Sequence, residues 1–88
     1  MKLILVIIND YDAEPVIKKL LEPGYRVTRV ASTGGFLRRG NTTLLIGTED
    51  ESVDDVLNII RETCSEIVEE GQRRATIFVL DVEEYQQL

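Results

Sequence analysis

Apolar and polar positions follow two different periods along the chain, and these periods predict its secondary structure. Residues 2–8 are, after Lys2, an unbroken apolar run rich in β-branched side chains, which is typical of a strand buried on both faces. Apolar residues recur at helical spacing over residues 16–21 and again over residues 53–68, which predicts two amphipathic helices. Further strands are predicted at residues 25–32, 42–48 and 75–82.

Particular residues mark the ends of the two predicted helices. Asp10 or Asp12 is expected to cap the first helix, with Pro15 in its first turn and a Pro-Gly pair after its end. The second helix is expected to open at residues 49–52, where acidic side chains suit the positive end of the helix dipole. Gly71 has the residue type that commonly follows a helix end, so the second helix is expected to continue to that point.

The predicted order of elements is β-α-β-β-α-β. This order predicts an α+β, ferredoxin-like fold, in which two helices cover one face of a four-stranded antiparallel sheet. The chain has 88 residues, which predicts a single domain over residues 1–88. The first and last strands are apolar on both faces, so the helix-free face is expected to be apolar too. Such a face on a small protein usually marks an association surface, and we expect a homo-oligomer.

The composition argues against catalysis and metal binding. The chain has no histidine and one cysteine, so it offers neither an intramolecular disulfide nor the ligands of an ordinary zinc site. Cys64 lies on the apolar stripe of the second helix and is expected to be a buried small hydrophobe rather than a nucleophile. The apolar run at the start is too short for a signal peptide or a membrane span, which predicts a cytoplasmic protein without a membrane partner.

Charge is distributed unevenly. The net charge is −6, which disfavours a nucleic-acid polymer as partner. Residues 23–48 nevertheless contain no acidic residue and four arginines, namely Arg26, Arg29, Arg38 and Arg39. A cationic patch on an acidic body suits a compact anion. An acid-free stretch of this length can also arise by chance, so charge alone leaves both interpretations open.

A candidate anion site follows from the residues around this patch. Arg26 and Thr28 are two apart on a predicted strand and therefore share a face, where a guanidinium and a hydroxyl together suit a phosphate. The glycines of residues 33–43 would let a ligand meet backbone N–H groups, Phe36 offers a surface for a base, and Asn41 can donate and accept hydrogen bonds. A Gly-Gly turn with flanking arginines is, however, about as often an ordinary hairpin.

The string from Thr33 to Thr43, Thr-Gly-Gly-Phe-Leu-Arg-Arg-Gly-Asn-Thr-Thr, resembles the signature of the PII-like cyclic-di-AMP receptor family. The resemblance runs from residue 1 to about residue 64 and again over residues 75–88. It implies a cytosolic signalling protein without catalysis or a cofactor. It also implies a homotrimer that binds cyclic di-AMP at its subunit clefts and acts on a downstream protein that the sequence does not identify. The positions that match the family's ligand-binding residues are Arg26, Thr28, Gly35, Phe36, Leu37, Asn41, Gly47, Phe78 and Gln87.

The chain departs from the family pattern in one segment. Members of the family carry a long glycine- and proline-containing loop between the second helix and the last strand, whereas residues 65–74 replace it here and are predicted to be mostly helical. Two alternatives stay open beside the cyclic-di-AMP receptor. One is a trimeric structural or interaction module that has lost nucleotide binding, and the other is a PII-type binder of a different nucleotide, such as ATP.

Overall fold

The structure, a computed structural model, describes residues 1–30, 40–65 and 73–88. The order of elements is βαββαβ and confirms the predicted ferredoxin-like α+β fold. Within these ranges no helix is long and apolar enough to cross a membrane. The elements are β1 (Lys2–Asn9), α1 (Asp10–Leu21), β2 (Arg26–Val30), β3 (Asn41–Thr48), a 3-10 turn (Asp50–Ser52), α2 (Val53–Thr63) and β4 (Ala75–Asp81).

All neighbouring strands of the sheet are antiparallel, in the order β2-β3-β1-β4. β1 is therefore an inner strand between β3 and β4. Its residues Ile4, Val6 and Ile8 are buried, whereas Leu3, Leu5 and Ile7 alternate with them and are only partly buried. β2 and β4 are the two edge strands of the sheet that the structure describes. This strand order decides which of the candidate site residues lie close together.

The core lies between one face of the sheet and the two helices. Alternate residues of the two inner strands point to this face, because successive side chains of a strand project to opposite sides. The residues that are almost fully buried there are Ile4, Val6, Ile8, Leu44 and Ile46 from the sheet, Ala13, Val16 and Leu20 from α1, and Val56 and Ile60 from α2.

The start of α1 differs from the prediction. Neither Asp10 nor Asp12 caps the helix; the N-cap residue is Asn9, and its side chain makes no capping hydrogen bond. Asp10 instead accepts a hydrogen bond from the Thr42 hydroxyl at 2.5 Å, and its backbone N–H donates to the carbonyl of Gly40 at 2.8 Å. Because α1 begins at Asp10, Pro15 lies inside the helix rather than in its first turn.

α2 is shorter than predicted. The helix ends at Thr63, and Cys64 has an extended backbone with φ −63° and ψ 143°. The apolar period continues beyond this point, but Ser65 is held by contacts with the start of α1 instead of extending the helix. Ser65, Arg73 and Arg74 are not helical, and the predicted helix end at Gly71 lies outside the described residues.

Candidate functional site

The sheet face opposite the helices, called here the open face, holds most of the described candidate site residues. Arg26 pairs with Gly47, Gly47 pairs with Leu3, and Leu3 pairs with Leu80. Directly paired residues lie on the same face of a sheet. Leu3 is one residue away from the buried Ile4, so this whole row lies on the open face.

Arg26, Gly47 and Gln87 come together at the β2 edge of the open face. Arg26 is exposed, and its Nη1 lies 3.4 Å from Oε1 of Gln87, 61 residues further along the chain. Gly47 is also exposed, and a Cβ placed on it would meet no atom within 4 Å. The Arg26 guanidinium therefore has the Gln87 amide on one side, and the space above the backbone of Gly47 beside it is open.

Thr28 and Phe78 lie in the next row, but at opposite ends of it. Thr28 pairs with Leu45, Leu45 pairs with Leu5, and Leu5 pairs with Phe78. Strands are spaced by about 4.8 Å, so Thr28 on β2 and Phe78 on β4 are about 14 Å apart. Phe78 is 51% exposed. Within one chain, the aromatic ring of Phe78 is therefore too far from Arg26 and Thr28 for all three side chains to contact the same group of a bound molecule.

Asn41 is the first residue of β3, where it pairs with Asn9. It lies two residues from Thr43 and four from Leu45, so it projects to the open face as they do. The remaining predicted site residues, Gly35, Phe36 and Leu37, lie outside the described residues, as do Arg38 and Arg39.

Arg29 does not belong to the cationic patch to which the sequence assigned it. It pairs with Leu44, whose side chain is buried against the helices, so Arg29 points to the helix side of the sheet. There its Nη2 forms a salt bridge of 2.7 Å with Oε1 of Glu14 on α1. Its charge is balanced locally, and among the described arginines of residues 23–48 only Arg26 lies on the open face.

Cys64 is buried, with 8% of its surface exposed, as the apolar stripe predicted. Burial raises the pKa of its thiol, the carboxylate of Asp12 raises it further, and Arg74 acts in the opposite direction. A buried thiol with a raised pKa is a poor nucleophile. In the part of the chain that the structure describes, no group of three or more acidic, cysteine or histidine side chains is arranged to hold a metal ion.

The structure adds apolar residues to the site that sequence reasoning did not single out. Leu3, Leu5 and Leu45 fill the floor of the open face between Arg26 and Phe78 and are only partly buried. The apolar run of β1 was visible in the sequence. Which of its residues lie on the open face depends on the packing of the helices, and a continuous run carries no alternation that would reveal this.

Comparison with known proteins identifies the family. The model of the family described as cyclic-di-AMP receptor matches residues 1–71. The chain belongs to the cyclic-di-AMP receptor family. The match includes Arg26, Thr28, Asn41 and Gly47 on the open face and ends before β4, so Phe78 and Gln87 lie outside it.

A solved structure resembles this chain over nearly its full length. The crystal structure of a functionally unknown protein from Pediococcus pentosaceus matches with a TM-score of 0.77 and 34% sequence identity. The alignment covers 99% of this chain and 96% of the Pediococcus chain, so the likeness extends over β4 and the residues after it.

Proposed function

We propose that this chain is a PII-like signal-transduction protein that binds cyclic di-AMP at clefts between the subunits of a homotrimer. It acts by binding and not by catalysis, as a cytoplasmic receptor that passes the signal to a downstream protein. The observation that carries the proposal is the placement of Arg26, Thr28 and Gly47 on one exposed face, in a chain that belongs to the cyclic-di-AMP receptor family.

The chemistry of this face suits a cyclic dinucleotide. The Arg26 guanidinium and the Thr28 hydroxyl can both donate hydrogen bonds to phosphate oxygens. These bonds are strengthened by charge, because the phosphate is an anion and the guanidinium a cation. Gly47 exposes its backbone, so that a flat ligand can approach the sheet closely. Phe78 offers an exposed ring for an adenine base, and the amide of Gln87 can pair with a base edge.

The separation of these groups favours a site between subunits. Arg26 lies on one edge strand and Phe78 on the other, about 14 Å away across the sheet. If the apolar open faces of several copies pack around a common axis, the β4 edge of one copy comes beside the β2 edge of the next. A nucleotide at that boundary would meet the phosphate donors of one subunit and the aromatic ring of its neighbour.

The contact between Arg26 and Gln87 is weak. A neutral amide oxygen at 3.4 Å is a weak acceptor for a guanidinium. A phosphate is a stronger acceptor because it is charged. Ligand binding would therefore replace the amide at Arg26 and release Gln87 to contact the base.

Calorimetric titration of cyclic di-AMP into the protein tests this proposal. The Arg26→Ala variant should bind more weakly by about 1.5–3 kcal/mol, the usual contribution of a hydrogen bond to a charged group. Arg29→Ala is the matched control. It removes an arginine three residues away on the same strand, but from the helix side of the sheet, and should bind like the wild type.

Two results would contradict the proposal. An equal loss of cyclic-di-AMP affinity in the two variants would show that binding depends on the net charge of the protein and not on the position of Arg26 on the open face. No binding of cyclic di-AMP by the wild-type trimer would favour the structural module, and parallel titration with ATP tests the other nucleotide.

A further inference from the structure

A cleft of about 440 Å³ lies between α2 and β4 and is separate from the open face. Its volume is within the range of small-molecule sites. Apolar side chains from α2, from β4 and from Cys64 just after α2 line the cleft, together with three arginines. The lining residues are Leu57, Ile60, Cys64, Ala75, Ile77 and Val79, together with Arg61, Arg73 and Arg74.

The cleft lies on the helix side of the sheet. Ile77 pairs with Val6 and Val79 pairs with Ile4, and both partners are buried against the helices. Phe78, between them on β4, points to the open face. A ligand in the cleft therefore makes contacts independent of those that hold a nucleotide at Arg26.

The lining has a distinct chemical character. Its floor is aliphatic and contains no aromatic side chain among the described residues, so it offers no stacking surface for a base. Of the nine described residues that line it, three are arginines and none is acidic, in a chain whose net charge is −6. This combination suits an anion with an aliphatic body rather than a nucleotide.

Two of the guanidinium groups are oriented by hydrogen bonds. Arg74 donates from Nη1 to the backbone carbonyl of Arg61 at 3.3 Å, within the last turn of α2. Arg61 donates from Nη1 to Oδ1 of Asn58 at 3.2 Å. Each guanidinium has further N–H donors beyond these contacts. Three positive side chains in one cleft repel each other, so an anion bound among them would be stabilised by its attraction to the arginines.

We propose that this cleft binds a small organic anion with an aliphatic body. The body lies on Leu57, Ile77 and Val79, and a carboxylate or phosphate head is held by the arginines at the mouth. The proposal does not depend on cyclic-di-AMP binding, because the two sites occupy opposite sides of the sheet.

Isothermal titration calorimetry with decanoate, below its micelle-forming concentration, tests the proposal. Decanoate should bind with one site per chain and raise the melting temperature. Acetate carries the head without the body, and decyltrimethylammonium carries the same body with a cationic head; neither should bind measurably. Comparable binding of decanoate and the cationic probe would overturn the proposal, because it would indicate non-specific adsorption of an alkyl chain.

Variants assign the binding to the cleft. Arg74→Gln and Arg61→Gln should each weaken decanoate binding at least fivefold, and Val79→Ser should do the same by removing part of the floor. Arg26→Gln is the control on the open face and should leave decanoate affinity unchanged. Far-ultraviolet circular dichroism verifies that each variant is folded. Wild-type affinity in both folded cleft arginine variants would overturn the assignment, whatever the result with cyclic di-AMP.

Discussion

The carboxylate of Asp12 accepts two hydrogen bonds from Ser65, one from its backbone N–H at 3.2 Å and one from its hydroxyl at 2.7 Å. Asp12 is in the first turn of α1 and is only 3% exposed, and Ser65 follows the end of α2. The pair therefore ties the beginning of one helix to the end of the other across 53 residues of chain.

Removal of this link should destabilise the fold. Asp12→Ala should lower the free energy of unfolding by about 1–3 kcal/mol, because two partly buried hydrogen bonds to a charged acceptor are lost. Ser65→Ala removes only the hydroxyl and should cost about 1 kcal/mol. Urea denaturation measures both. Glu14→Ala is the control on the same helix; it breaks the exposed ion pair with Arg29 of β2 and should cost less than about 1 kcal/mol. A loss in Asp12→Ala no larger than in this control would show that the link is not stabilising.

Gly47→Ala should separate ligand binding from stability. A Cβ at this position meets no atom of the chain, and Gly→Ala at a compatible position stabilises by about 0.4–1 kcal/mol through the unfolded state. The methyl group would project from the open face beside Arg26, where the proposed nucleotide approaches the sheet. Thermal denaturation should show a stable variant, while calorimetry shows weaker binding of cyclic di-AMP. Unchanged affinity would place the ligand away from Gly47.

The open face should carry the assembly of the protein. Leu5 lies at its centre, between Leu45 and Phe78, so Leu5→Glu would place a charge in the proposed subunit contact. We expect this variant to be a folded monomer and the wild type to be a trimer by light scattering. Ile4→Glu, one residue away but fully buried against the helices, should unfold instead. A monomeric wild type at micromolar concentration, or a trimeric Leu5→Glu variant, would contradict the proposed trimer.

The contact between Tyr25 and Asp55 should depend on pH. The Tyr25 hydroxyl donates to Oδ2 of Asp55 at 2.6 Å, and this hydrogen bond raises the pKa of the phenol above its ordinary value of 10.0; burial raises it further. A raised pKa means that the contact stabilises the fold below about pH 10 and that this contribution is lost as the pH rises through the folded-state pKa.

Paired denaturation of the wild type and Tyr25→Phe measures this effect. The wild type should be the more stable protein at pH 7, and the difference should shrink at pH values above about 10. Tyr85→Phe serves as the control, since Tyr85 is 60% exposed, and its difference from the wild type should not change with pH in this way. A constant difference for Tyr25→Phe across the range would show that the hydrogen bond does not form in solution.

The sequence by itself determined the order of the elements and part of the site. The periods of apolar residues and the Pro-Gly breaker are local signals, so the strands, the helices and the ferredoxin-like order could be predicted from them. The same two-residue period placed Arg26 and Thr28 on one face. It also implies that Arg29 faces the other way, although charge counting grouped it with Arg26.

Tertiary structure decided whatever depends on residues far apart in the chain. The apolar period predicted a longer second helix, but Ser65 leaves the helical path to donate to Asp12, and a contact across 53 residues has no local signal. The carboxylates of α1 were expected to cap the helix and are used in tertiary contacts instead. Strand order likewise holds Phe78 about 14 Å from Thr28, because β2 and β4 are at opposite edges of the sheet. The contact of Gln87 with Arg26 depends on the path of the chain after β4, and a contact across 61 residues has no local signal either.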